Sequence, residues 1–225
     1  MPNRYLTSTI LLLTAQLGFW MTPLEIASAN SNRPNYSSAW GNFLSWFQRK
    51  KPPFGGRGGD CIISPVYDRN GVPVWNVRPS LVWKGDTGEV EVVQKKRSFG
   101  KQNVERVQEN YQSQYSGEPL LFGEIYEWKL FTIAKQSRLF RLVEPPQRNQ
   151  VTADLQKIQA QLKAERATPE SIALRRAEVF QQYDLASDAL QELFSVQNPS
   201  PELKKLKQDV VTEFCSAQKP TPTAR

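Results

Sequence analysis

The apolar and polar positions divide the chain into stretches of different period. Residues 10–21 carry an apolar run, Ile10, Leu11, Leu12, Leu13, Leu17, Phe19, Trp20 and Met21, with no charge until Glu25. Residues 30–60 are polar and irregular, punctuated by Pro34, Pro52, Pro53 and Gly55-Gly56-Arg57-Gly58-Gly59, the composition of a flexible linker. One island interrupts that linker: Trp40, Phe43, Leu44 and Phe47 fall at the spacing of one helix face, with Trp46 beside them. From residue 61 to 145 short apolar segments alternate with turn residues, and after Pro145-Pro146 the period becomes helical through residue 216. Residues 217–225 read as a disordered tail.

Within 61–145 the pattern predicts strands at 62–67 and 72–77, joined as a hairpin by Asp68-Arg69-Asn70-Gly71, because an Asn-Gly pair tolerates the positive φ of a tight turn. Further strands are predicted at 80–84, at 89–93 after Gly85-Asp86-Thr87-Gly88, at 124–133 and at 139–143. Between 94 and 119, Val104, Val107, Tyr111 and Tyr115 fit either strand pieces or a helical stripe. Strands at this spacing indicate an antiparallel β-sandwich with Trp83, Tyr126 and Trp128 as core aromatics.

The helical stretch, 146–216, divides into four. Val151, Leu155, Ile158 and Leu162 form the stripe of the first helix; Thr168 caps the second, with Pro169 at its first position and Ala173, Ala177 and Phe180 inward. A break at Tyr183-Asp184 leads to a third with Ala186, Ala189, Leu190, Leu193 and Phe194. Asn198-Pro199 ends it, and a fourth from Pro201 buries Leu203, Leu206, Val210 and Phe214. The expected class is therefore α+β, a β-sandwich followed by a four-helix segment.

Composition changes this picture in three places. Arg4 before the apolar run, Pro23 after it and Ala27-Ser28-Ala29 beyond make residues 1–29 read as a signal peptide cleaved before Asn30. A retained anchor is the competing reading, although the run is shorter than the roughly 20 residues of a bilayer span and carries Thr14 and Gln16. Export points to a periplasmic or extracellular location, where Cys61 and Cys215 are candidates for a disulfide, with two free thiols or an interchain bond as alternatives. The net charge of +7 favours anionic partners or serves solubility alone. For an exported chain, acidic lipid and wall polymer come before nucleic acid. The island Trp40, Phe43, Leu44 and Phe47, followed by Arg49, Lys50 and Lys51, fits a membrane-surface anchor or a strap packed on the folded domain. Lys95, Lys96 and Arg97 read as a solvated loop, or as part of an anion-binding patch if they join Arg49, Lys50 and Lys51.

Histidine is absent, which removes the commonest general base and metal ligand. No Cys-x-x-Cys pair is present, and the glycine run around Arg57 lacks the lysine of a phosphate loop. Glu89, Glu91, Glu124 and Glu127 are the nearest candidates for a paired-carboxylate hydrolase, but alternation on outer strand faces explains them better. No catalytic residue, metal or cofactor is expected.

Pro79-Ser80-Leu81-Val82-Trp83, together with 120–128 and its Gly123-x-x-Tyr126-x-Trp128 pattern, resembles the fibronectin-type or immunoglobulin-like modules of bacterial exported proteins. Residues 172–206 resemble one tetratricopeptide unit plus the following helix, through Ala177, Phe180, Ala189, Leu193 and Pro201. Asp184 stands where that repeat has a turn glycine, Ala173 where it has an aromatic, and a single copy must lean on the sandwich or on a partner. Taken whole, with Gly58-Gly59-Asp60-Cys61 and Ala173-Leu174-Arg175-Arg176-Ala177, the chain resembles a group of exported cyanobacterial proteins of unknown function. The resemblance implies architecture and no activity. The functional expectation is a non-enzymatic envelope interaction or scaffold protein with a protein partner; the alternative is a peripheral binder of anionic membrane or wall polymer. The leader reading predicts that protein recovered from an exporting host begins at Asn30 by intact mass; an uncleaved Met1 terminus contradicts it.

Overall fold

The computed structural model describes residues 36–50, 61–66, 68–85, 89–94, 97–102, 105–107, 110–131 and 136–216. Its strands are β1 (Cys61–Ser64), β2 (Val72–Val74), β3 (Ser80–Lys84), β4 (Glu89–Gln94), β5 (Arg97–Gln102), β6 (Glu105–Val107), β7 (Asn110–Gln114), β8 (Ile125–Phe131) and β9 (Gln136–Leu142). Its helices are α1 (Tyr36–Gln48), α2 (Pro145–Ala164), α3 (Pro169–Gln182), α4 (Ala186–Ser195) and α5 (Pro201–Ser216). The class is α+β with two sheets. One has the order β1-β3-β7-β6, the other β2-β9-β8-β4-β5, in which only β2 beside β9 is parallel.

Period-two alternation drives the second sheet. Tyr126, Trp128 and Leu130 of β8 turn inward with Val90, Val92 and Phe140, while Ile125, Glu127, Lys129 and Phe131 turn outward. Tyr126 stacks on Phe140 with ring centres 5.6 Å apart, and Tyr115, just after β7, meets Trp128 edge-on at 6.5 Å. Trp83 is fully buried, as the sequence indicates for all three core aromatics.

Two expectations change. The segments around Asn70-Gly71 are not a hairpin: β1 pairs with β3 in one sheet and β2 with β9 in the other, so the turn carries the chain between sheets. Its local chemistry is as expected, with Asp68 Oδ1 accepting the Asn70 N–H at 2.7 Å and Gly71 at φ +85°. What the turn cannot specify is the partner strand. Among the described residues, the open stretch after residue 94 forms strands, β5 to β7, and no helix.

The helices follow their sequence signals. Thr168 Oγ1 accepts the Ser171 N–H at 3.2 Å, and Asp184 takes the positive-φ turn position at +59°. At the start of α5, Ser200 Oγ accepts the Leu203 N–H at 3.1 Å and donates to Glu170 of α3 at 2.8 Å. Lys207 of α5 is buried and donates to the Val196 carbonyl at 2.7 Å, just past the end of α4. Burial lowers its pKa to about 8, with Glu170 opposing the shift.

A single hydrophobic core runs through sheets and helices, so the sequence boundary near residue 145 separates element types and not cores. Three ties hold these elements together. Cys61 opens β1 and Cys215 nearly closes α5, and they form a disulfide with Cα atoms 5.6 Å apart. Beside it, Phe47 of α1 stacks on Phe214 of α5 at 4.6 Å. The third tie is polar. Ser187 Oγ, in the first turn of α4, accepts the Val66 N–H at 3.2 Å, and the Asp188 carboxylate accepts the Trp75 N–H at 2.8 Å and the Asn76 N–H at 2.9 Å. These amides follow β1 and β2, where the ladder has ended, and α4 supplies their acceptors.

Asp188 is 2 % exposed. Burial raises its pKa to about 7, against the two N–H donors and the nearby Arg148, while Glu192 adds to the rise. The folded chain thus holds this proton after the unfolded chain has lost it. Its contribution to stability is full below the unfolded carboxyl value of about 4 and falls as pH rises toward 7. In urea unfolding, wild type is expected to lose stability between these limits relative to Asp188→Asn; parallel pH profiles contradict the shift. Asp188→Ala, which strands two buried N–H groups, is expected to cost about 2–4 kcal/mol at either pH. Cys61→Ser is expected to cost about 3–5 kcal/mol in the same assay, because the bridge closes a long loop of the unfolded chain; an unchanged midpoint contradicts it.

Candidate functional site

The structure changes the standing of the aromatic island. Trp40, Phe43 and Phe47 are buried, and Leu44 is half-buried against the core. Their rings pack on one another and, through Phe47, on Phe214. The surface-anchor reading is therefore corrected: the stripe is the inner face of a strap, since rings already desolvated by a helix partner have no face to give to lipid. The linker expectation for 30–60 changes with it, because α1 lies inside that range as part of the core.

The basic residues are placed less completely. Arg49 is exposed and donates to the Ser45 carbonyl at 3.2 Å, while Lys50 pairs with Asp184 at 2.5 Å. Arg97 opens β5 opposite Gln94. Lys51, Lys95 and Lys96 lie outside the described residues, and with them the question of a joined patch. Of the carboxylates, Glu124 accepts from the Gln94 amide at 2.9 Å and Glu127 lies 3.7 Å from Lys129.

The strongest surface feature is one that sequence reasoning passed over. Among the described residues the exposed large apolar side chains are Leu121 (63 %), Phe122 (46 %), Ile125 (50 %), Phe131 (42 %) and Leu139 (40 %). All fall between residues 121 and 139, on β8, on β9 and in the turn that enters β8. Ile125, Phe131 and Leu139 project from the outer face of the second sheet. The helices make their main strand contacts at β1 and at β2, the edge strand beside β9. Register fixes its layout: Ile125 is opposite Arg141, Glu127 opposite Leu139 and Val93, and Lys129 opposite Ser137 and Glu91. Apolar groups are thus set among charges of both signs. Grouped exposed apolar side chains with a polar rim are the physical mark of a protein-docking surface.

At one end of the surface Phe122 is held in place. The Arg148 guanidinium lies 4.7 Å from the Phe122 ring centre and 4.7 Å from that of Trp75, and it donates to the Trp75 carbonyl. Burial lowers the Arg148 pKa from its usual value, opposed by Asp188. The same arginine therefore links the apolar turn to the α4 junction. A signal for this surface was present in the sequence: Ile125 and Phe131 share the phase of Glu127 and Lys129, and Leu139 that of Ser137 and Arg141.

A groove of about 440 Å³ beside α2 is lined by Trp75, Leu155, Gln159, Ala160, Lys163 and Arg176. Its aromatic ring is already engaged by Arg148 and by Phe180 at 5.6 Å, and Arg176 pairs with Glu192 at 2.8 Å, so little in it is left for a ligand. Among the described residues no group of three His, Cys, Asp or Glu could hold a metal ion, and no helix is long and apolar enough to cross a membrane. No protein-family model matches the chain, and no curated protein or solved structure matches it.

Proposed function

We propose that the chain is an exported, non-enzymatic scaffold of the cell envelope that docks a protein on the outer face of β8 and β9. The observation that carries this reading is the exposure of Ile125, Phe131 and Leu139 on that face, with Leu121 and Phe122 exposed in the turn that enters it. Ile125 and Leu139 supply an apolar centre, and Arg141, Glu127 and Lys129 a polar rim that sets register.

Other features support parts of the proposal. The leader-like residues 1–29 argue for export, and the Cys61–Cys215 pairing suits an oxidising compartment. A chain without histidine lacks the commonest catalytic base, which favours binding over chemistry. In finer terms the sheets are an immunoglobulin-like or fibronectin-like sandwich. The α3–α4 pair is a tetratricopeptide-like unit, with fully buried Ala177 and Ala189 permitting close helix approach. That lone unit leans on the sheets through Ser187 and Asp188. The alternative, peripheral binding to anionic membrane or wall polymer, has lost its aromatic half, because Trp40 and Phe43 lie in the core.

The test is site-specific photocrosslinking in the native host. A photoreactive residue at Leu139 is expected to give discrete protein adducts that one at exposed Lys204 of α5 does not, and Ile125→Lys is expected to reduce them at least tenfold, roughly the effect of losing one interface anchor. Equal labelling at both positions, or adducts indifferent to Ile125→Lys, contradicts the proposal.

A further inference from the structure

Four side chains on the docking face form a rectangle. Ile125 faces Arg141 across the β8–β9 ladder, and Glu127 faces Leu139. One diagonal joins the two exposed aliphatic side chains; the other joins a guanidinium to a carboxylate. The sides are about 4.8 Å between strands and about 7 Å along them.

A two-fold axis can make this arrangement self-complementary. Consider a second copy laid face to face by a two-fold axis along the Ile125–Leu139 diagonal. Each aliphatic side chain then meets its own counterpart, and the two charged corners exchange, so that Arg141 of either copy comes within about 3 Å of the position over Glu127 of the other, given the ladder spacings. The axis perpendicular to that diagonal returns each charge almost onto itself and sets Arg141 against Arg141. Register alone thus distinguishes a matched pairing from a repelled one. The wider face is charge-balanced as well: Arg141 and Lys129 stand with Glu127 and Glu91, on a chain whose net charge is +7. Apposition at this face avoids the repulsion that two basic chains meet elsewhere.

We propose that the outer face of β8 and β9 is the interface of a two-fold dimer, the docked protein being a second copy of this chain. The inference rests on the reading of this face as a docking surface and names its occupant. With the neighbouring β4 included, each face is about 15 by 25 Å, so two of them bury about 750 Å² in total, below the usual range of stable specific interfaces, and the dimer is a weak one.

Sedimentation velocity of the full, disulfide-closed chain from about 1 to 200 µM is the test, and a dimer with a Kd of tens of micromolar is expected. Ile125→Lys combined with Leu139→Lys removes the dimer. Arg141→Glu and Glu127→Arg each weaken it, and the two together restore it, because the exchange rebuilds both intermolecular pairs. All four side chains project from the face, so thermal unfolding is expected to stay close to wild type and to separate lost association from lost folding. A chain monomeric throughout, a dimer that survives the double lysine variant, or a charge swap without rescue overturns the dimer. If the chain is monomeric while crosslinks from Leu139 persist, the second copy is excluded as the occupant and the docking surface stands.

Discussion

The arrangement of this molecule depends on one buried carboxylate. Asp188 stands in the first turn of α4, where the helix dipole favours a negative charge, and its two oxygens accept the amides of Trp75 and Asn76. Those amides leave β2, an edge strand, where unpaired donors are costly to bury. The helical half of the chain therefore completes the sheet's hydrogen bonding as well as covering its apolar edge. Burial works against the charge and raises the pKa of Asp188, so the junction that orients the halves holds its carboxylate against a desolvation cost.

From that junction the rest follows in order. With α4 committed to the β1 and β2 ends, α5 lies along β1 and brings Cys215 to Cys61, and α1 closes over α5 through Phe47 and Phe214. Trp40, Phe43, Trp46 and Phe47 of the polar N-terminal stretch are consumed in this closure. Apolar exposure is left on the outer face of β8 and β9 and in the turn that enters β8, where Arg148 lies between Trp75 and Phe122. The arginine that screens Asp188 thus also contacts the exposed apolar turn, so the surface and the junction are built from shared groups.

Much of the local structure was legible in the sequence because it is written in short-range periods. Thr168-Pro169 announces a helix start, β8 alternates cleanly, and Leu203, Leu206, Val210 and Phe214 mark one face of α5. Partners were less legible. Asn70-Gly71 specifies a turn but not whether the following strand returns to the same sheet. Trp40, Phe43 and Phe47 specify a helix face, and no local signal pairs it with Phe214. Asp188 looks like an ordinary acid in a first helical turn, and its acceptors' donors lie 112 and 113 residues away. The exposed apolar face was legible in principle, since Ile125 and Phe131 break the polar phase of β8, yet an apolar residue in a strand is read as core until the opposite phase is shown to be the buried one.

Native-state hydrogen exchange at the Trp75 and Asn76 amides tests the role of Asp188 most directly. If the carboxylate locks α4 to the sheet, both amides exchange only through global unfolding, with protection equal to that of the Val82 amide in β3, and Asp188→Ala releases them selectively. Exchange of these two amides at the rate of a free strand edge in the wild type would contradict the account.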